Sequence, residues 1–308
     1  MLFHLLYFII TLLSCLNECN SVKMTFSIVA YDPEKKEWGV AVQSKFVAVG
    51  AIVSYAKANI GAIATQAFVN TSYGPEGLAL LKEGRTAEET LKILTEKDPK
   101  KEQRQIGIID RFGNADSFTG KECFDWAGHI VGKNHCCQGN ILVSEETVKA
   151  MSKAFENTTG DLVDRLFAAL EAAQAAGGDK RGMESAAILV VREKGAYDGG
   201  TDRYIDVRVD EHPDPINELR KVFAVYDLCL LKRDNPEDIV KIEGEVLELV
   251  LEAVTIGGFF KGEKVKSYTQ EVKTAFTKWL HTNNFEMKER EDDYLFGAVY
   301  RYMKQMKK

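Results

Sequence analysis

At 308 residues, 45% hydrophobic and 28% charged, the chain has an ordinary globular composition and enough length for one large core or two domains. Its net charge of −6, with no clustered basic segment, gives no sign of a polyanion partner, so no nucleic acid is expected. No block of like charges marks a disordered tail.

Leu5 to Leu16 form an apolar run too short to span a bilayer. It reads as the hydrophobic region of a secretory signal peptide, followed by the polar stretch Asn17 to Lys23. Residues 1–23 are therefore expected to be a leader, the protein to be secreted or held in the cell envelope, and no membrane span to remain. No Lys or Arg precedes the run, which leaves translation from Met24 and a cytoplasmic location as the alternative. The loose lipobox Leu12-Leu13-Ser14-Cys15 keeps a lipoprotein form of export open.

From Met24 the period is two. Phe26, Ile28 and Ala30 alternate with Ser27 and Val29, Asp32-Pro33 turns the chain, and Trp38 to Ser44 returns it. Two more strands are expected at Val49–Ala56 and Ile60–Ala67, rich in small residues. A short helix follows from Pro75 to Lys82, and Thr86-Ala87-Glu88-Glu89 is a capping box opening a second. Strands resume at Gln105–Asp110, Ala115–Phe118 and within His129–Val143. Two helices follow, one opened by Ser144-Glu145-Glu146-Thr147 and one over Leu162–Ala176. Then come strands at Ser185–Arg192 and Tyr204–Val209, and a helix after the Pro213–Pro215 turn. Blocks of strands separated by helix pairs predict an α+β protein, a four-layer αββα sandwich over residues 24–231. Residues 232–308 predict a small C-terminal three-helix module, with helices at Pro236–Ile256, Ser267–His281 and Asp292–Lys304.

Cys123, Cys136, Cys137 and Cys229 lie beyond the leader. They either pair, as export permits, or pack as buried thiols. Asp210-Glu211-His212 with Asp214 superficially resembles a hard-metal cluster, but the intervening prolines argue for a turn. No phosphate loop, HExxH or paired zinc spacing is present, so neither metal nor cofactor is expected. Asn70-Thr71-Ser72 and Asn157-Thr158-Thr159 are glycosylation sequons. Apolar sheet edges and small residues are compatible with a homodimer.

Several short motifs in order resemble one family. They include Met24-Thr25-Phe26-Ser27-Ile28-Val29-Ala30, Ser44-Lys45-Phe46, Ala64-Thr65-Gln66-Ala67 and Ser72-Tyr73-Gly74-Pro75. Asp125-Trp126-Ala127-Gly128, Gln138-Gly139-Asn140, Gln174 to Asp179 and Val209 to Pro215 continue the series. Together they resemble the bacterial and archaeal family called domain of unknown function ten-twenty-eight, over about residues 25–220. The resemblance implies the N-terminal-nucleophile hydrolase superfamily. Gly258-Phe259-Phe260-Lys261-Gly262 and Asn284-Phe285-Glu286 resemble the peptidoglycan-binding module that often follows this family's core.

In that superfamily the first residue of the mature chain attacks an amide carbonyl, and its own α-amine, with a pKa of about 8, is the base. The resemblance places Thr25 in that role, on a small amide, peptide or cell-wall-derived substrate. Residues 1–24 precede it here, so trimming to Thr25 is required. The bland reading of Thr25 is a strand residue chosen for β propensity. Lys45 is expected to depress the pKa of the nucleophile or its amine, and Asn140 to donate to the oxyanion. Gln66, Asn70, Tyr73, Asp179, Arg181 and Ser185 are the candidate substrate contacts. The alternative is a wall- or carbohydrate-binding protein on an inactive hydrolase scaffold, since fold alone does not establish activity.

Overall fold

A computed structural model describes residues 25–263 and 265–306. The expected leader lies outside the described residues. The chain divides into two compact units, one ending at Arg220 and the other beginning at Lys221.

The first unit carries strands β1 Thr25–Asp32, β2 Glu37–Ser44, β3 Ser54–Lys57, β4 Gly61–Ala67, β5 Arg104–Asp110, β6 Ala115–Thr119, β7 Gly128–Gly132, β8 His135–Asn140, β9 Ser185–Val191 and β10 Arg203–Val209. Its helices are α1 Gly50–Val53, α2 Tyr73–Lys82, α3 Ala87–Lys97, α4 Glu146–Asn157 and α5 Leu162–Ala175. Helix α6, Pro215–Leu230, contains the dividing point. Beyond the extra α1, this is the element order expected from the hydrophobic periods.

Two antiparallel sheets result. The larger has the order β10-β9-β2-β1-β8-β7 and the smaller β3-β4-β5-β6. Side chains alternate across each strand. Val29 and Tyr31 of β1 join Val40 and Val42 of β2 in a buried cluster with Ala62, Ala64 and Ile109 of the smaller sheet. The opposite face of the larger sheet is covered by α4 and α5. There Gly39 brings the backbone close to α5, since a Cβ on it would stand 2.8 Å from Leu166 Cδ1. Helices α2 and α3 cover the smaller sheet through Ile63, Leu81, Leu91, Leu94, Ile106 and Ile108. Thr86 caps α3 as its sequence predicts, with both bonds of the capping box made.

One expected strand is corrected. Val49–Ala56 is not a single strand but helix α1 followed by β3. Short apolar runs are compatible with either state, and here hydrogen bonding decides it: the Val49 amide is taken by Ser185 Oγ, and Val53 N–H bonds back to Val49 O.

The cysteine alternatives also resolve. Cys123, Cys136, Cys137 and Cys229 are free thiols, and burial pushes the Cys136 thiol up to about 12. The Asp210–Asp214 segment is a turn in which Asp214 N–H donates to His212 Nδ1 at 3.0 Å.

The second unit contains β11 Ile239–Lys241, α7 Gly244–Ile256, α8 Gln270–Thr282, β12 Tyr294–Phe296 and α9 Gly297–Met306. Its core is built on Val250, Val254, Val272, Phe276, Trp279 and Phe285, with Phe276 and Trp279 stacked at 5.7 Å. All three expected helices start later than the periodicity suggests: at Gln270 rather than Ser267, where Thr269 is the cap, and by more at Gly244 rather than Pro236 and Gly297 rather than Asp292. The reason for the two larger shifts is tertiary: Ile239, Val240 and Lys241 pair with Phe296, Leu295 and Tyr294, which takes the first turns of both helices into a two-stranded sheet. No local signal announces a partner so far along the chain.

Candidate active site

Thr25 opens the strand at the middle of the larger sheet. The antiparallel register sets it opposite Ser44 on one side and Asn140 on the other, and Ser44 in turn faces Ser185. Four polar residues from four distant segments therefore line one end of the sheet. Thr25 is only 3% exposed, and its Oγ1 lies 3.1 Å from Ser44 Oγ, either oxygen being able to donate.

Below Thr25 the space between the sheets holds amides where hydrocarbon is the norm. Ser27 Oγ donates to Gln66 Oε1 at 2.5 Å, and Gln138 Nε2 donates to Ser27 Oγ at 2.7 Å. Gln66 Nε2 reaches Gln105 Oε1 at 2.8 Å and the Thr25 carbonyl at 3.3 Å. Asn140 Nδ2 donates to the same Gln105 Oε1 at 2.9 Å. Buried amides are costly unless paired; most atoms of this network are paired, while the buried Gln138 Oε1 has no hydrogen-bond partner. Room for it comes from Gly107, where a Cβ would stand 2.3 Å from Gln138 Oε1.

The backbone around this end of the sheet is strained. Ala48, Ala67 and Ile141 hold positive φ of 52°, 63° and 53°. For Ile141, which is β-branched, this is a genuine outlier. Such conformations cost on the order of 1–3 kcal/mol each and concentrate at functional sites. Ala67 and Ile141 directly follow Gln66 and Asn140, and Ala48 stands two residues after Phe46, on three segments that converge on Thr25.

A cavity of about 20 Å³ opens beside Thr25 and Gln66, walled by Phe46, Val49, Ile52, Val53, Ala67 and Val69. Ser185 holds one wall, its hydroxyl accepting from Val49 N–H at 3.1 Å and donating to the Phe46 carbonyl.

The sequence-predicted residues thus fall into separate groups. Thr25, Gln66 and Asn140 are brought together. Lys45 is not turned toward Thr25. Its Nζ donates to the Met183 carbonyl at 3.3 Å and pairs with Glu184 at 3.4 Å, while its backbone N–H donates to Asp179 Oδ2 at 3.0 Å. Buried Asp179 also accepts from Arg181 N–H at 2.8 Å, so Lys45, Asp179 and Arg181 form a second group. Asn70 and Tyr73 belong to a third, around Asp98. Asn70 Nδ2 and the Tyr73 hydroxyl donate to Asp98 Oδ2 at 3.1 and 3.0 Å, and Arg104 Nε at 2.9 Å. Burial alone would raise the Asp98 pKa, but these donors and the Lys100 N–H outweigh it and hold the carboxyl well below its usual range. The Tyr73 phenol is pushed up by burial and by its bond to Asp98. Ser185 supports the cavity wall. Among the described residues no group of three or more His, Cys, Asp or Glu side chains is arranged to hold a metal.

Residues 25–219 match the family described as "Family of unknown function (DUF1028)". The chain belongs to that family. A crystal structure of a Silicibacter pomeroyi protein of the same DUF1028 family is 33% identical, with a TM-score of 0.61, the alignment covering 66% of this chain and 86% of that one. Residues 229–303 match a second family, described as "Putative peptidoglycan binding domain". No curated protein matches the chain. Among the described residues, no helix is long and apolar enough to cross a membrane.

Some residues of this candidate site in the DUF1028 unit escape a reading by sequence alone. Ser44 carries no signal of its own as a strand-end serine. Gln105 and Gln138 do carry one: like Gln66 they are amides within expected strands, at positions where apolar residues are the commoner choice.

Proposed function

We propose that the first unit is an N-terminal-nucleophile amidohydrolase of the four-layer αββα type, with Thr25 as nucleophile once the chain has been trimmed to it. We further propose that residues 232–308 bind peptidoglycan and keep the enzyme in the cell envelope, after export on a leader of residues 1–23. The observation that carries the reading is the placing of Thr25: in the central strand, with its hydroxyl 3.1 Å from Ser44 Oγ, and among the residues that line an apolar cavity.

In the reaction, Thr25 Oγ1 attacks the amide carbonyl carbon and passes its proton to the free α-amine of Thr25, whose pKa of about 8 suits a base near neutral pH. The tetrahedral oxyanion collapses, the C–N bond breaks, and the leaving nitrogen takes the proton. Water then hydrolyses the ester on Oγ1, returning a proton to that oxygen. Asn140 uses one amide N–H on Gln105, which leaves its second N–H for the oxyanion. The positive φ of Ala67 and Ile141 supports this reading, as backbone strain of this kind accompanies functional sites.

One observation favours a non-catalytic wall-binding protein instead: the Lys45 ammonium is engaged by Glu184 and Met183 rather than by Thr25. Terminal sequencing and intact mass of the mature protein separate the two. A chain beginning at Thr25, with amide hydrolysis lost in Thr25→Ala, is the expected result. A mature chain that retains residues upstream of Thr25 has no free threonine amine, and the binding reading replaces the catalytic one.

A further inference from the structure

Resting on the nucleophile reading, we propose that the cavity beside Thr25 selects the acyl side of the substrate, admitting a methyl-sized α-substituent and rejecting larger ones. The substrate class is then an alanyl or similarly small acyl amide.

The size of the cavity is the first observation. The recess beside Thr25 has a volume of about 20 Å³, room for roughly one water-sized group, and half-buried Phe46, Ile52 and Val69 form its rim. A methyl is of that size, whereas an isobutyl or benzyl group is several times larger. Its chemistry is the second. Apart from Thr25 and Gln66 the lining is hydrocarbon, from residues such as Phe46, Val49, Ile52 and Val69. The Gln66 amide already bonds Ser27, Gln105 and the Thr25 carbonyl, so it has little to offer a polar guest. An apolar guest releases ordered water without leaving a polar group unpaired.

The third observation is that the walls are tied down. The Phe46–Val49 wall is bridged by the Ser185 hydroxyl, and Ala48 N–H bonds the Asp210 carbonyl at 2.8 Å. On the other side Ala67 holds a φ of 63° while Phe68 N–H bonds the Gln103 carbonyl at 3.2 Å. Moving either wall outward would break these bonds, so a larger side chain is not taken into the recess by a small adjustment. Thr25 itself lines the cavity, so the group it takes is assigned to the carbon bearing the attacked carbonyl.

The test is a panel of chromogenic anilides of glycine, alanine, valine, leucine and phenylalanine. It is run with the protein in the N-terminal form that sequencing establishes, alongside Thr25→Ala. Expected is fastest turnover of the alanyl compound, with kcat/KM lower by roughly 10–200-fold for leucyl and phenylalanyl. Val69→Ala and Ile52→Ala are expected to narrow that gap by admitting the larger groups, and the wild-type panel decides even if these variants fold poorly. Leucyl or phenylalanyl turnover equal to alanyl, and abolished by Thr25→Ala, overturns the cavity assignment while the nucleophile reading stands; this is also the result if the cavity serves only to hold a water. Turnover of none of the panel by a chain that begins at Thr25 overturns the cavity assignment; turnover indifferent to Thr25→Ala overturns the nucleophile reading and the cavity assignment with it.

Discussion

Thr25 Oγ1 and Ser44 Oγ face each other at 3.1 Å across two adjacent strands, both side chains buried. The contact follows from register: Thr25 and Ser44 are direct partners in the β1–β2 pairing, so their Cβ atoms are held close. A second hydroxyl at that distance can orient the first and share its proton in the attack proposed for Thr25. Ser44→Ala is therefore expected to lower kcat of Thr25-dependent amide hydrolysis roughly 10²-fold with little change in KM. Steady-state kinetics on the alanyl anilide check this, with thermal unfolding to show that the fold is kept. An unchanged kcat would leave Ser44 a packing residue.

The Gly107 position tests the amide network. A methyl there would stand 2.3 Å from Gln138 Oε1, so Gly107→Ala must displace the Gln138 side chain and with it the bond to Ser27. The expected loss is about 1–3 kcal/mol of stability, the range for overpacking a tight interior. Combining it with Gln138→Ala is expected to cost less than the two single losses together, because the methyl then enters vacated space. Urea unfolding of the four proteins gives the cycle.

Asp98 sets an acid limit. Its carboxyl is held below the usual value of 3.8 by Arg104, Lys100 N–H, Asn70 and Tyr73. A group with a depressed folded pKa contributes stability that is fully present above the unfolded value and lost as pH falls through the folded one. Wild-type stability is thus expected to decline below about pH 4 partly through this residue. Asp98→Asn should cost about 1–3 kcal/mol at neutral pH and show a shallower decline in acid. Denaturant titrations between neutral pH and the acid range, run on both proteins, supply the comparison.

In the second unit Lys288 is 3% exposed, and its Nζ donates to the Leu231 carbonyl at 2.8 Å and to the Asp234 carboxylate. Lys288→Met is expected to destabilise this unit by about 3–5 kcal/mol, because it leaves a largely buried carboxylate without its cation. Replacing both, as Lys288→Met with Asp234→Leu, should recover much of that loss. Equal destabilisation of the single and double variants in urea unfolding would show that the Leu231 contact, rather than the ion pair, matters most.

Much of the architecture is legible in local sequence. The alternation through Phe26, Ile28 and Ala30, the Thr86–Glu89 capping box and the helical spacing of Leu162, Leu166 and Leu170 each report a period or a cap set within a few residues. Thr25, Gln66 and Asn140 were legible as site candidates through motifs, and they do meet. Asn70 and Tyr73 were equally conspicuous, yet they bond to Asp98, and the Lys45 ammonium turns to Glu184. Direction is what motifs lack: a residue's place in a loop does not say which way its side chain leaves the backbone.

By itself, then, the sequence determined the strand and helix periods, the order of the blocks and the presence of a polar residue at the start of the first strand. These depend on interactions within a few residues. Only the tertiary structure decided that Ser44 and Asn140 flank Thr25, that three glutamines meet between the sheets, and that β11 pairs with β12 at the expense of two helices. Each of these joins segments far apart in the chain, and each depends on strand register, where a shift of one residue would turn every side chain to the opposite face.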